Sequence, residues 1–346
     1  MNIGTIRKGK LNLITDVDGI CVGNADDVRM RSGVTVVLPD TQAVAAVDVR
    51  GGGPGTRETD ALDPTCLVDA VHGLVLSGGS VYGLDAASGA VAWLGARGRG
   101  FALGNSPKVA PVVPAAILFD LTNGGDKDWG EEPPYRALGR AACENAGRDF
   151  KLGNAGAGFG ARAGTLKGGL GSASATGEGF TVGALIAVNP FGSVVMPGSG
   201  AFWAAPYEID GEFGARGWPT DMTGLATRDP FDETKAALAG IAPGTNTTIG
   251  VVATDADLTP AEARRVAIMA QDGLARAVRP VHAPVDGDVI FVLATGKRPL
   301  GPENRAARLA WLGSVAADCV ARSIARGVYE AESLGASVAY RDRYGK

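Results

Sequence analysis

Short apolar segments separated by glycine clusters constrain the fold of this chain more than any other feature of its sequence. Glycine accounts for 52 of the 346 residues, about twice its usual share, while aromatic residues make up only 6%. Glycine adopts backbone conformations that are closed to other residues and lets chains approach closely. No collagen-like repeat explains the excess. We therefore expect many short elements joined by tight turns.

Several apolar runs predict β-strands. Residues 33–38 and 43–49 flank a turn at 39–41, and residues 182–195 flank a turn tetrad at 189–192; both patterns are typical of hairpins. Other predicted strands cover residues 74–76, 111–121, 247–253 and 289–293.

Three segments predict helices. One begins at Ser80 as N-cap and runs through Leu94; a second follows a capping box at Thr259 and extends to about Val278; a third covers residues 304–334. Residues 153–171 predict a glycine loop. Residues 197–246 predict a loop-rich connector, with a short helix near 233–241. Because helices and hairpins come in blocks, we expect a layered α/β fold with mixed or antiparallel sheets.

Charge and apolar patterning exclude several classes of function. The net charge is −4, so the chain lacks the excess of positive charge that is typical of proteins that bind nucleic acid or membrane surfaces. The N-terminus lacks the apolar region of a signal peptide, and no apolar stretch is long enough to cross a bilayer. Four widely spaced cysteines, at positions 21, 66, 143 and 319, predict reduced core residues and a cytoplasmic protein.

Common catalytic motifs are also missing. Neither of the two histidines, His72 and His282, has a metal-ligand partner at the usual spacing, which argues against zinc and favours structural roles for both. Neither a phosphate-binding P-loop nor a G-x-S-x-G elbow occurs, and the nearest dinucleotide fingerprint, at 156–161, follows no convincing strand.

A nucleophile that needs no histidine remains available. A threonine at a chain's N-terminus carries its own base, because the α-amino group has a pKa of roughly 7.7–8. Thr247 begins a predicted strand directly after the loose connector, so its hydroxyl could attack the Asn246 carbonyl and break the chain there. The same Asn-Thr-Thr sequence also fits a glycosylation acceptor or a plain strand start.

Six segments in order resemble the L-aminopeptidase/D-esterase family, which includes β-aminopeptidases and nylon-oligomer (aminohexanoate) hydrolases. They are residues 50–60 (RGGGPGTRETD), 76–85 (LSGGSVYGLD), 164–171 (GTLKGGLG), 189–190 (NP), 246–248 (NTT) and 286–288 (DGD).

The resemblance implies one catalytic domain, 1–346, with an αββα four-layer sandwich like that of N-terminal-nucleophile hydrolases but with different connectivity. It further implies self-cleavage between Asn246 and Thr247, giving an α chain of 1–246 and a β chain of 247–346 that stay associated. Such αβ pairs would assemble as tetramers. No cofactor is implied.

The resemblance also carries roles to individual positions. Thr247 matches the nucleophile, and Lys167 matches a lysine that would lower the pKa of its hydroxyl or stabilise negative charge. Asn189 and Tyr82 match the donors of the oxyanion hole. Taken alone, Lys167 also fits a surface lysine, Asn189 the first residue of a turn, and Tyr82 core packing.

Asp286 and Asp288 match the acidic pair that orients the nucleophile in the nylon-hydrolase branch. Alone, they also fit a turn or half of a calcium loop. The threonine nucleophile and this pair, which replaces a Ser-x-Glu arrangement, both depart from the β-aminopeptidase pattern and favour the nylon-hydrolase branch.

We therefore expect a self-cleaving amidohydrolase or aminopeptidase that acts on small peptides or amides. Two alternatives stay open: an acyltransferase of the ornithine-acetyltransferase type with the same N-terminal threonine, and a catalytically silent homologue that binds small molecules.

Overall fold

The computed structural model of the chain describes residues 5–239 and 246–345. Within these ranges the backbone forms strands and helices in alternating blocks. The strands are β1 (Arg7–Lys8), β2 (Ile20–Asp27), β3 (Ser32–Pro39), β4 (Ala43–Val49), β5 (Thr56–Arg57), β6 (Ala70–Val71), β7 (Leu74–Ser77), β8 (Phe101–Ala102), β9 (Val109–Ala110), β10 (Ala115–Ile117), β11 (Arg162–Ala163), β12 (Leu166–Lys167), β13 (Gly169–Gly177), β14 (Phe180–Asn189), β15 (Thr247–Ala256) and β16 (Val289–Arg298). The helices are α1 (Ala86–Gly95), α2 (Tyr135–Glu144), α3 (Ala236–Ala239), α4 (Pro260–Ala270), α5 (Asp272–Ala277), α6 (Arg305–Tyr329) and α7 (Tyr340–Tyr344).

Two stacked sheets carry the fold. Within the described residues, the larger sheet has the strand order β1-β13-β14-β15-β16-β4-β6 and the smaller one β2-β3-β7-β10-β5. Their facing sides share one apolar core, while α1 and α2 cover the small sheet and α4, α5 and α6 cover the large one. The order of layers is therefore helix, sheet, sheet, helix, which confirms the predicted αββα sandwich.

Strand β15 lies at the centre of the large sheet. It pairs antiparallel with β14 through eight residue pairs, the last being Asn189 with Thr247, and parallel with β16. All ten of its residues are buried, because one face meets the helices and the other meets the small sheet. A strand covered on both faces needs apolar residues on both, which explains the unbroken apolar run at 249–253.

Both predicted hairpins are wrong, although both strands of the first one exist. β3 pairs with β2 and β7 in the small sheet, whereas β4 pairs with β16 and β6 in the large sheet. The turn between them carries the chain from one sheet to the other. A tight turn between two apolar runs suits either arrangement, and here burial of both strands in stacked sheets selects the crossing.

The second predicted hairpin is a single strand that ends at Asn189. β14 forms its hairpin with β13 on the other side, through the turn near residue 178. The glycine-rich segment 153–171 is likewise not a loop throughout, because it contains β11, β12 and the start of β13.

The helix predictions hold in part. Thr259 forms both bonds of its capping box with Glu262, as predicted, but the helix divides into α4 and α5 at Gln271. Ser80 is not an N-cap, because it has a positive φ of 53° and begins a 3₁₀ segment that leads into α1. The third helix, α6, ends at Tyr329 rather than near residue 334.

The connector is loop-rich where it is described. Between residues 197 and 239 its regular structure consists of two 3₁₀ turns and the short helix α3, while 240–245, which include the end of the predicted helix, lie outside the described residues. The prediction of four core cysteines is wrong at two positions, since Cys66 is exposed and Cys21 half-buried. Among the helices described, none combines the length and apolarity required to span a bilayer.

Candidate active site

Thr247 stands at the point where the connector enters the central strand. It is the first residue of β15 and is only 3% exposed. Its hydroxyl donates to the carbonyl oxygen of Asn246, the residue before it. The backbone N–H of Gly287 donates to the same oxygen over 3.0 Å. The carbonyl therefore lies between a hydroxyl nucleophile and a backbone donor.

Asp286, on the loop before β16, is held by backbone donors. Its Oδ1 accepts from the N–H of Phe191 at 2.9 Å and its Oδ2 from that of Ala283 at 3.0 Å. Burial, together with the negative charge of Asp288, raises the pKa of Asp286 to about 7. This carboxyl group therefore titrates near neutral pH rather than near its ordinary value.

Asp288 orients the first residues of β15. Its Oδ1 accepts from the N–H of Thr248 at 2.8 Å, directly after the candidate nucleophile. Its Oδ2 lies 2.9 Å from Nδ1 of His282 and accepts from the N–H of that residue at 3.2 Å. His282 therefore has a defined partner in the site, a role that its sequence context did not reveal.

A glycine segment supports this acidic loop from behind. Gly51 and Gly53 donate their N–H groups to the carbonyl oxygens of Asp288 at 3.2 Å and Asp286 at 2.8 Å. A Cβ on Gly51 would lie 2.3 Å from the backbone nitrogen of Asp288. The close approach requires glycine and accounts for part of the cluster at 51–53.

We expect Gly287→Ala to slow any chemistry at Thr247 by about a hundredfold, since a shift of about 1 Å in a reacting group costs that much. The new Cβ would lie 2.7 Å from both Thr247 Oγ1 and the carbonyl oxygen of Gly53, and one of them must move. The rate of the cleavage expected between Asn246 and Thr247 measures the effect. Gly147→Ala is a matched control, since nothing lies within 4 Å of a Cβ there, and a normal rate in Gly287→Ala would contradict the geometry.

Asn189 lies opposite Thr247 in the β14–β15 ladder. Its side-chain oxygen accepts from the N–H of Arg162 at 2.9 Å and from Nζ of Lys235 at 3.0 Å. Its Nδ2 donates to the carbonyl of Phe119 at 3.1 Å. The amide is fixed by three partners, and one of its two N–H bonds stays available.

Lys167 is buried in β12, which rules out the surface-lysine alternative. Its amine donates to the carbonyl oxygens of Gly158 at 3.2 Å and Gly168 at 2.7 Å. Burial lowers the pKa of Lys167 to about 7, while the charge of Asp120 acts in the opposite direction. Lys167 can therefore exchange a proton near neutral pH.

Tyr82 forms no hydrogen bond with the other candidate residues in the part of the chain that is described. Its side chain is 46% exposed, so it is not a core residue, and its ring packs edge-on against Trp129 at 5.5 Å. Its role in an oxyanion hole stays a prediction.

Sequence reasoning missed two cations in the site, Arg162 and Lys235. Lys235 lies in the connector, where no periodic pattern marks it, and folding brings its amine to both the side-chain and backbone oxygens of Asn189, each at 3.0 Å. Burial lowers the pKa of Lys235 to about 7, against the effect of the charge on Asp286. Across residues 5–239 and 246–345, no cluster of three His, Cys, Asp or Glu side chains could hold a metal ion.

A family model described as peptidase family S58 matches residues 12–339 of the chain. An uncharacterized aminopeptidase of Mycobacterium tuberculosis is 44% identical over 351 residues, which cover 96% of this chain and 98% of that protein. A 6-aminohexanoate-oligomer endohydrolase of Kocuria sp. is 30% identical, covering 90% of this chain and 84% of that protein.

Solved structures show the same fold. A β-aminopeptidase of Burkholderia sp. superposes with a TM-score of 0.70 at 22% identity and covers all of this chain and 95% of its own. The L-aminopeptidase D-Ala-esterase/amidase of Ochrobactrum anthropi gives a TM-score of 0.69 at 22% identity, covering 99% of this chain and 96% of its own.

Proposed function

The chain belongs to peptidase family S58, and from that membership and the geometry around Thr247 we propose that it is an aminopeptidase that activates itself by cutting before Thr247. The resemblance inferred from the sequence is thereby confirmed at the level of the family, and the chain is a hydrolase of peptide or amide bonds. Its branch within the family stays a prediction, as do the roles of individual residues.

One observation carries the proposal of self-cleavage. The hydroxyl of Thr247 lies against the carbonyl of Asn246, whose oxygen also accepts the N–H of Gly287. In the proposed step, Oγ attacks the carbonyl carbon, the peptide C–N bond breaks, and the hydroxyl proton passes to the departing nitrogen. Water then hydrolyses the ester and leaves a free amine on Thr247. The N–H of Gly287 is placed to stabilise the charge on the oxygen.

The mature enzyme would repeat this chemistry on a substrate. The new α-amino group takes the proton of the Thr247 hydroxyl, and Oγ attacks the substrate carbonyl to form an acyl-enzyme that water resolves. The uncommitted N–H of Asn189, the N–H of Gly287 and the predicted Tyr82 hydroxyl would stabilise the oxyanion. Lys167, in its protonated form, would support the negative charge that develops on Oγ.

The acidic pair would position the nucleophile. Asp288 accepts from the N–H of Thr248 and so fixes the start of β15, while Asp286 fixes the loop through Phe191 and Ala283. Neither carboxylate accepts a hydrogen bond from the hydroxyl of Thr247, which donates to Asn246. Their proposed role is to hold the Thr247 amine once it exists.

Pairing across the cut would keep the two chains together. β14 belongs to the α chain and β15 to the β chain, and eight residue pairs join them at the centre of the large sheet. We further propose that such αβ pairs form the tetramers implied by the family resemblance, and that the protein acts in the cytoplasm.

Intact mass of the freshly purified protein, with N-terminal sequencing of any fragment, tests the proposal. We expect two fragments, residues 1–246 and 247–346, the smaller one beginning Thr247-Thr248-Ile249. A chain that stays whole on long incubation would contradict self-cleavage and favour the silent binding homologue. A cut protein that transfers acyl groups to added amino acids faster than to water would instead identify an acyltransferase.

A further inference from the structure

Two basic residues bond one oxygen of the site, the amide oxygen of Asn189, although only Lys235 does so through its side chain. The backbone N–H of Arg162 and the amine of Lys235 donate to it over 2.9 and 3.0 Å. Since Asn189 is the residue paired with Thr247 across the sheet, the backbone of Arg162 and the amine of Lys235 both lie one strand away from the candidate nucleophile. The proposed cleavage chemistry uses neither of them.

The Arg162 side chain has donors without acceptors. Its Nε is buried and has no hydrogen-bond partner within the part of the chain that is described, and Nη2 makes only a 3.4 Å bond to the carbonyl of Ala336. Burial lowers the pKa of Arg162. A partly buried guanidinium that lacks a carboxylate is costly unless a ligand supplies the missing acceptors.

Lys235 is fixed in place independently of its amine. Its backbone N–H donates to the carbonyl of Phe191 at 3.1 Å, and the preceding Thr234 is fully buried. The ring of Phe231 packs edge-on against that of Phe191 at 5.5 Å. Two of the three N–H bonds of the amine donate to Asn189, and the third is available to a ligand.

We propose that Arg162 and Lys235 form a subsite for the free carboxylate at the end of a short peptide, so that the enzyme prefers dipeptides with an ionised C-terminus. The inference rests on the proposed function, with Thr247 as the nucleophile. In a dipeptide the carboxylate carbon lies three bonds beyond the scissile carbonyl carbon, and two basic residues are bonded to the strand partner of Thr247. A guanidinium binds a carboxylate through two parallel hydrogen bonds, and Nε is one of the donors in that arrangement.

Electrostatics agrees with an anion at this position. The positive charge of Arg162 helps to lower the pKa of Lys235, and an added carboxylate between them would reverse that effect. The charges of Asp286 and Asp288 raise the pKa of Lys235, but neither carboxylate forms an ion pair with it. Asp288 instead lies against His282.

The test compares the best-cleaved dipeptide with its own C-terminal amide on the processed enzyme. The wild type should cleave the acid with the lower KM. In Arg162→Gln, the ratio of kcat/KM for the dipeptide to that for its amide should fall about tenfold to a hundredfold, through a higher KM for the dipeptide, as expected for lost hydrogen bonds to a charged group. Lys235→Met should shift the ratio in the same direction.

Arg343→Gln is the matched control, because it removes a positive charge that contacts Thr165 but not Asn189, and it should leave the ratio unchanged. A wild type that cleaves acid and amide equally well, or variants that lose both activities in proportion, would overturn the inference. A wild type that is uncut and inactive would overturn the proposed function and the subsite with it, whereas an active enzyme indifferent to the carboxylate overturns the subsite alone.

Discussion

A chain in which Thr247 is replaced by alanine should stay a single polypeptide and hydrolyse no peptide substrate. Alanine removes the hydroxyl that lies against the Asn246 carbonyl and leaves the strand otherwise intact. Loss of a nucleophile lowers kcat by about a millionfold where one group carries the chemistry. Intact mass measures the cleavage, and hydrolysis of a dipeptide measures the turnover.

Two further variants make this result specific. Thr247→Ser keeps a hydroxyl and should still cut, more slowly if the β-methyl group helps to fix the rotamer. Thr248→Val is the matched control, because the hydroxyl of Thr248 is buried without a partner among the described residues and valine keeps its shape. Cleavage in Thr247→Ala, or its loss in Thr248→Val, would contradict the assignment of the nucleophile.

Replacing Glu212 by alanine should lower the free energy of unfolding by about 3–5 kcal/mol, the usual cost of breaking a buried ion pair from one side. Glu212 bonds Nε and Nη2 of Arg322 at 2.5 and 2.9 Å, and both side chains are nearly inaccessible, at 4% and 2% exposed. Without Glu212, the guanidinium would be left buried without its counter-charge. Urea unfolding of the uncut Thr247→Ala chain measures the loss on one polypeptide.

Asp210→Asn is the control, two residues away, because it removes the charge while asparagine tolerates the positive φ of 53° at this position. Asp210 pairs with Lys8 at 2.8 Å, but its side chain is 69% exposed, and exposed pairs contribute about 0–1 kcal/mol. Equal losses in the two variants would contradict the reasoning from burial.

The stability that the Glu212–Arg322 ion pair contributes also depends on pH. Burial by itself would raise the pKa of Glu212, but the bonds and charge of Arg322 lower it below 4.5. A carboxyl group whose pKa is lower in the folded state contributes its full stabilisation at pH values above its unfolded-state pKa. That contribution is lost as the pH falls through the folded-state pKa. The wild-type advantage over Glu212→Ala should therefore shrink only in acid.

Local patterns predicted local structure well. The capping box at Thr259 and the apolar run of β15 depend on neighbours in sequence, and both formed as expected. The two hairpins failed because the partner of a strand is chosen by distant residues. β3 and β4 are joined by a short turn, yet they pair in different sheets.

The candidate site shows the same division. Thr247, Asn189 and the acidic pair come together as the family motifs imply, because β14, β15 and the loop before β16 are neighbours in one sheet. Lys235 could not be predicted, since it comes from an irregular segment that only tertiary packing brings to Asn189. Arg162 lies just before the segment 164–171 that matched the family, so no motif marked it.

The position of the proposed break at the first residue of a paired strand makes its two new ends unequal. On the Thr247 side, eight pairs with β14 hold the end in register, so the new amine and the hydroxyl of the same residue stay in the site. On the other side, Asn246 is tied to Asp286 by a single bridge. Repulsion between the carboxylate formed there and the acidic pair, Asp286 and Asp288, would push the severed end outward. It would also oppose rejoining of the bond.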